Sequence, residues 1–93
     1  MKDIEKYTIE TEDLNRREVH RIIADCGLNG YSLYEKQGCW KGSVEKSISI
    51  VFLDINHKPN FSNQIHIVAV LIKQLNKQET VFVEKKWVRL DVI

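Results

Sequence analysis

The run Ser47-Ile-Ser-Ile-Val-Phe-Leu-Asp-Ile55 constrains the fold more than any other part of the chain. Its period of two puts Ile48, Ile50 and Phe52 on one face, and its β-branched and aromatic content favours a strand over a helix. A second extended run, Gly30-Tyr-Ser-Leu-Tyr-Glu35, comes just before it. Between the two lies Lys36–Glu45, a polar stretch with Gly38 and Gly42 on either side of Trp40. This stretch reads as a connection too long for a tight two-residue hairpin. Long loops on rigid strands are where small domains place function.

Helical periodicity flanks the strand pair on both sides. Val19, Ile22, Ile23 and Cys26 fall at i, i+3, i+4 and i+7, with Arg16, Arg17, Arg21 and Asp25 off the stripe. Asn15 with Glu18 resembles a capping box, Asp13 is a competing cap, and Gly27 stands where a helix ends. Ser62 is positioned to cap a second helix running to about Lys77, with Ile65, Val68, Ala69, Ile72 and Leu75 as its buried stripe. Lys6–Glu12 alternates as a first strand and Thr80–Val83 reads as a fourth. Trp87–Val92 is either a short C-terminal strand or an extension that pairs with a neighbour.

The order is therefore β-α-β-β-α-β over a single domain, 1–93. It predicts an α+β, ferredoxin-like fold: an antiparallel sheet with two helices on one face, plus the short C-terminal strand. Right-handed crossovers place the first and third strands at the centre. The second sheet face is left bare, with Tyr34 and one alternate set of Ile48–Ile55 as candidates for it, and covering that face favours oligomerisation.

Fourteen basic and thirteen acidic residues leave a net charge of +1, so no overall basic field points to nucleic acid. Locally the balance is uneven. Asp3, Glu5, Glu10, Glu12 and Asp13 crowd the start, while Lys85, Lys86 and Arg89 sit near the end, and the two groups neutralise each other if the terminal strands are neighbours. No charged-then-apolar leader opens the chain, and no apolar run approaches the ~20 residues of a membrane span, which leads to the expectation of a cytoplasmic protein.

Leu14–Gly42, with Gly27, Gly30, Ser32, Gly38 and Gly42 in place, resembles the opening half of P-II signal-transduction proteins. The end of the chain, with Val88 and Arg89, is similar to that family's final strand. Gly38, Trp40, Gly42, Glu45 and Ser47 also fit a pattern of small P-II-like proteins carried by phages and mobile elements. The resemblance implies a homotrimer that binds nucleotides or other small ligands in clefts between subunits. The chain departs from the family between the second helix and fourth strand, where Asn76-Lys-Gln-Glu79 replaces a glycine- and lysine-rich phosphate loop. Backbone amides need glycine to approach phosphate closely, so the usual ATP cradle is not expected. Asp91 stands in place of a second arginine.

The expected ligand-binding residues are Lys36, Gly38, Trp40, Lys41 and Gly42 around the connection, together with Arg89. Trp40 with Lys36, Lys41 and Lys46 forms either an aromatic and cationic lip for a small anionic, nucleotide-like ligand or, at Trp40, a plug in a subunit interface. Arg89 either binds phosphate or pairs with Glu84 or the acidic first strand. His20, His57 and His66 share no metal-ligand spacing with each other or with Cys26 and Cys39. Cys39 has no histidine near it in sequence to activate it, and Glu35 and Glu45 lack a tuned partner for acid–base work. The expectation is a non-enzymatic oligomer, without cofactor or metal, that senses or sequesters a small anion near residues 36–46. The alternative is a protein-interaction module, such as a phage accessory or counter-defence protein that blocks a host factor.

Overall fold

The computed structural model describes residues 2–93, with Trp40 described through its backbone alone. The elements are β1 (Lys2–Glu12), α1 (Arg16–Asp25), β2 (Ser32–Trp40), β3 (Ser43–Leu53), α2 (Phe61–Asn76) and β4 (Phe82–Leu90). The four strands form one antiparallel sheet in the order β2-β3-β1-β4. The first and third strands are central, as the crossover rule requires. The α+β, ferredoxin-like architecture is the one expected from the sequence.

Both helices cover one sheet face. Tyr7 and Ile9 of β1 and Ile48, Ile50 and Phe52 of β3 point into that layer. There they share one core with Val19 and Ile23 of α1 and Ile65, Val68 and Ile72 of α2, while Ile22 packs against it partly buried. A fully buried side chain of this size contributes roughly 1.5–3 kcal/mol over an exposed one. The alternate residues face away from the helices. In rows across the sheet these are Lys36, Ser47 and Glu12; Tyr34, Ser49, Glu10 and Phe82; Ser32, Val51, Thr8 and Glu84; and Leu53, Lys6 and Lys86. Tyr34 and Phe82 on this open face are 58% and 67% exposed.

Several local features differ from the sequence reading. The Lys36–Glu45 stretch is not a loop: β2 continues to Trp40 and turns through Lys41-Gly42 alone into β3. Both turn residues have positive φ, 49° and 80°, the twist that a two-residue hairpin needs. Gly42 supplies this conformation without strain, which lets the polar residues on either side pair as strands. The expected capping box is absent. Asn15 sits at the α1 N-cap in a left-handed conformation with no side-chain cap bond, and its amide instead donates to Asn76 Oδ1 at 2.9 Å. Asn60, also without a side-chain cap bond, occupies the N-cap of α2 that was assigned to Ser62. At the other end of α1 the glycine rule holds: Gly27 (φ 79°) and Leu28 donate to the Ala24 and Ile23 carbonyls, closing a Schellman motif. The separate short C-terminal strand is the second half of a continuous β4, which runs antiparallel to β1 from Phe82 opposite Glu10 to Leu90 opposite Lys2.

Candidate functional site

The strands are not equal in length, and this shapes the surface. Glu12 is the last residue of β1 opposite β3, paired with Ser47. Beyond that point the Asp13 N–H still donates to the Lys46 carbonyl at 3.1 Å, and then β2 and β3 pair with each other, out to Trp40–Ser43, and leave the body as a two-stranded ribbon. Gly38, Cys39, Lys41, Gly42, Val44 and Glu45 on this ribbon are all exposed. Val44, a β-branched side chain, is 69% exposed.

The ribbon is held at its root from both faces by two consecutive residues. On the helix side, Glu35 accepts from Arg16 Nη1 of α1 at 2.8 Å, and the same guanidinium grips Asp13 at 2.5 Å. The two carboxylates raise the Arg16 pKa above its ordinary value, Asp13 contributing most. On the open face, Lys36 reaches over β3 to the Glu10 carboxylate, which also accepts the Ser49 hydroxyl at 2.8 and 2.9 Å. Alternation along β2 puts residues 35 and 36 on opposite faces, so a single peptide step supplies both anchors.

The α2–β4 connection lies beside this root, and two of its polar side chains, Asn76 and Gln78, are already engaged. Thr11 Oγ1 donates to Gln78 Oε1 at 2.5 Å, and Asn76 accepts from Asn15. Here the segment that departs from a phosphate-cradling loop ties α2 to β1 and α1.

The expected site residues are thus divided. Lys36, Gly38, Trp40, Lys41 and Gly42 are grouped on the β2–β3 ribbon. Lys36 is spoken for by Glu10, and the Trp40 side chain lies outside the described residues. Arg89 is not with them. It sits near the end of β4 opposite Asp3, to which its Nε donates at 3.2 Å. The nine-residue offset along β1 between Asp3 and Glu12 is about 30 Å of strand. Within one chain, Arg89 and the ribbon occupy opposite ends of a molecule 42 Å long. Lys85 likewise pairs with Glu5 at 3.1 Å, so the acidic start and basic end neutralise each other across β1 and β4.

The sequence reading missed Glu10 and Ser49, whose alternation with Ile9 and Ile50 was visible but whose meeting with Lys36 depends on the register of three strands. It also missed a concavity that no local pattern along the chain marks. A cleft of about 730 Å³ crosses the open face at the end away from the ribbon, lined by Lys6, Tyr34, Leu53, Lys58, Val88 and Leu90 among others. Among the described residues no group of histidine, cysteine and carboxylate side chains is arranged to hold a metal, and no helix is long and apolar enough to cross a membrane. Cys26 is half-buried, and desolvation, with Asp25 nearby, raises its thiol pKa.

Neither a scan against protein-family models nor a search of curated proteins finds a match to the sequence. Solved structures do match. A phage SAM lyase in complex with S-methyl-5′-thioadenosine is 18% identical, covers 89% of this chain and 80% of that chain, and has a TM-score of 0.73. CPII, a nitrogen regulatory PII-like protein from Thiomonas intermedia K12 bound to ADP, AMP and bicarbonate, is 14% identical over 98% of both chains, with a TM-score of 0.61. The B. subtilis GlnK–ATP complex is 16% identical over 90% of this chain and 82% of that chain, with a TM-score of 0.60. At these identities the likeness is one of architecture, and it extends over almost the whole chain. The protein has the P-II-like form of the ferredoxin-like fold.

Proposed function

We propose that the chain assembles through its open sheet face into an oligomer, most simply a homotrimer, that binds an adenosine-containing small molecule between copies at the root of the β2–β3 ribbon. The observation that carries this reading is the ribbon itself. It projects past the last residue of β1 opposite β3, so its faces lack a wall from their own chain. A second copy supplies that wall. It also accounts for Arg89, which in one chain is far from the ribbon and joins the site only from a neighbour. The similar structures named above hold S-methyl-5′-thioadenosine, ADP and AMP with bicarbonate, and ATP, and adenine on its ribose ring is the part the nucleosides and nucleotides share. In this reading Trp40 stacks on the base, Lys41 supplies charge, Lys36 holds the ribbon through its pair with Glu10, and Gly38 and Gly42 let the ligand approach the backbone.

The test is calorimetric titration with S-methyl-5′-thioadenosine, AMP and ADP. Binding of at least one of them at one site per chain is expected, weakened in Trp40→Ala by roughly 1–3 kcal/mol as for loss of aromatic–base stacking. Absence of binding for all three contradicts the reading. So does dissociation of Trp40→Ala into monomers, because the residue is then an interface plug.

Two specific observations favour other readings of the same fold. The phage SAM lyase likeness favours an enzyme acting on S-adenosylmethionine, and incubation with that compound followed by chromatography for S-methyl-5′-thioadenosine decides it. Ile67, Val70 and Leu71 on the outer side of α2, 52%, 53% and 38% exposed, favour a protein-interaction module such as a counter-defence protein. Capture of one defined host protein, lost in Val70→Glu, supports that reading.

A further inference from the structure

Glu45 stands in a bare stretch of the ribbon. Its partner across the strand pair is Gly38, and its neighbours two residues away on β3 are Ser43 and Ser47. A Cβ placed on Gly38 would meet nothing within 4 Å, so the space beside Glu45 is open. Alternation puts all of these on the open face, with Lys36 and Trp40 at the diagonal positions of β2. Diagonal neighbours are within reach of a long side chain, but Lys36 turns to Glu10 instead. Among the described residues the Glu45 carboxylate takes part in no ion pair. Neither does that of Glu12, opposite Ser47 on the same face.

The cations that could balance these carboxylates are engaged or lie elsewhere. Lys46, opposite Gln37, is on the helix side of β3, and Arg17 and Lys77 belong to the helix layer. Lys41 lies in the turn, past the Trp40–Ser43 pair. A neighbour's Arg89 arrives paired with its own Asp3 at 3.2 Å and brings no net charge. Glu10, Glu12 and Glu45 therefore outweigh Lys36 on the open face of the root. Beside it the α2–β4 connection offers no glycine, and Asn76 and Gln78 are tied to Asn15 and Thr11. A phosphate monoester, with about −1.5 to −2 charges at neutral pH, would meet this surplus without a cradle of backbone amides.

We infer that the ribbon site selects an adenine nucleoside whose 5′ substituent is positively charged, an ammonium or a sulfonium, and rejects one that is phosphorylated. Glu45 is the residue that reads the substituent. The inference rests on the ribbon site proposed above and names the class of ligand it takes. With the base at Trp40, Lys41 lies toward the tip, where the base offers acceptor nitrogens. Glu45 lies toward the root, where the ribose carries its 5′ group, and Gly38 leaves room for that group beside the carboxylate.

The experiment is calorimetric titration of the full chain with 5′-amino-5′-deoxyadenosine, adenosine and AMP at about pH 6.5, where the amine is protonated. The amine is expected to bind about tenfold more tightly than adenosine, and AMP about tenfold more weakly, as for a hydrogen bond to a charged group. In Glu45→Gln the amine should fall to the level of adenosine, whose own affinity is unchanged. In Glu45→Lys, AMP should become the tightest of the three. AMP binding as tightly as the amine in the parent, or a preference for the amine that survives Glu45→Gln, overturns the proposal and leaves the ribbon site standing. Equal losses for adenosine and the amine in Glu45→Gln also overturn it, because the carboxylate then holds the ribose hydroxyls. Binding of none of the three overturns the ribbon site and this selection together.

Discussion

Lys36 and Glu10 are two strands apart in the sheet, and their side chains nevertheless meet, crossing β3 on its open face. Ser47 and Ser49, the β3 residues on that face beside them, are small enough to be crossed, and Ser49 donates its hydroxyl to the same carboxylate. Together with Arg16 and Glu35 on the other face, the pair fixes the angle at which the β2–β3 ribbon leaves the body.

Because the Lys36–Glu10 pair is partly exposed, its contribution to stability is small, within the ~0–1 kcal/mol of surface pairs. Glu10→Gln is expected to lower urea-unfolding stability by less than about 1 kcal/mol and to change ribbon order much more. Amide exchange at Gly38–Glu45 should rise in Glu10→Gln while exchange in β1 and β3 below Ser49 is unchanged. Unchanged exchange in the ribbon contradicts its role as an anchor.

Ile50 and Phe52 are fully buried on the helix side of β3. Truncation of either to alanine leaves a cavity that its neighbours cannot fill and is expected to cost on the order of 2–5 kcal/mol. A loss below ~1 kcal/mol at both positions in denaturant unfolding contradicts the assignment of this face to the core.

Gly42 has φ 80° with open space around its Cβ position, so a substitution there is strained by backbone conformation and not by crowding. Gly42→Ala is expected to cost about 1–2 kcal/mol, the penalty of a left-handed L-residue. The loss should appear mostly as local fraying of the ribbon, seen as faster exchange at Lys41–Val44 with little change in global melting.

Glu5 has its carboxyl pKa lowered from the ordinary 4.5, first by the Tyr7 hydroxyl, 2.8 Å away, and then by Lys85. A group whose pKa is depressed on folding stabilises the native state above its unfolded pKa and loses that contribution as pH falls through the folded value. Stability is therefore expected to decline below about pH 4.5, and the decline should be shallower in Glu5→Gln. Equal acid limbs in the two proteins contradict the role assigned to this carboxylate.

How much could be read from the sequence follows from how local each determinant is. The stripe Val19–Ile23 and the alternation Ile48–Phe52 are set by neighbours within a turn or two, and both are buried as read. The pairing of Arg89 with Asp3 followed from opposite charges at the two chain ends once β1 and β4 were neighbours. The turn at Lys41-Gly42 was obscured because two further polar and glycine positions, Gln37 and Gly38, weaken the strand signal on the β2 side. The Lys36–Glu10 crossing and the cleft needed the register of several strands at once, and neither leaves a pattern along the chain. The Asn15 and Asn60 caps show the opposite failure: residue types suited to capping are present, yet both take left-handed backbone conformations.

Native mass spectrometry of the freshly purified protein, with and without added S-methyl-5′-thioadenosine, AMP or ADP, tests the central claim most directly. The chain mass is 10.9 kDa. A closed oligomer, with three copies as the favoured number, is expected at micromolar concentration, taking up at least one of the three compounds at one molecule per chain. A species of 10.9 kDa alone, or an oligomer that gains the mass of none of the three compounds, contradicts a ligand site built between copies at the ribbon's root.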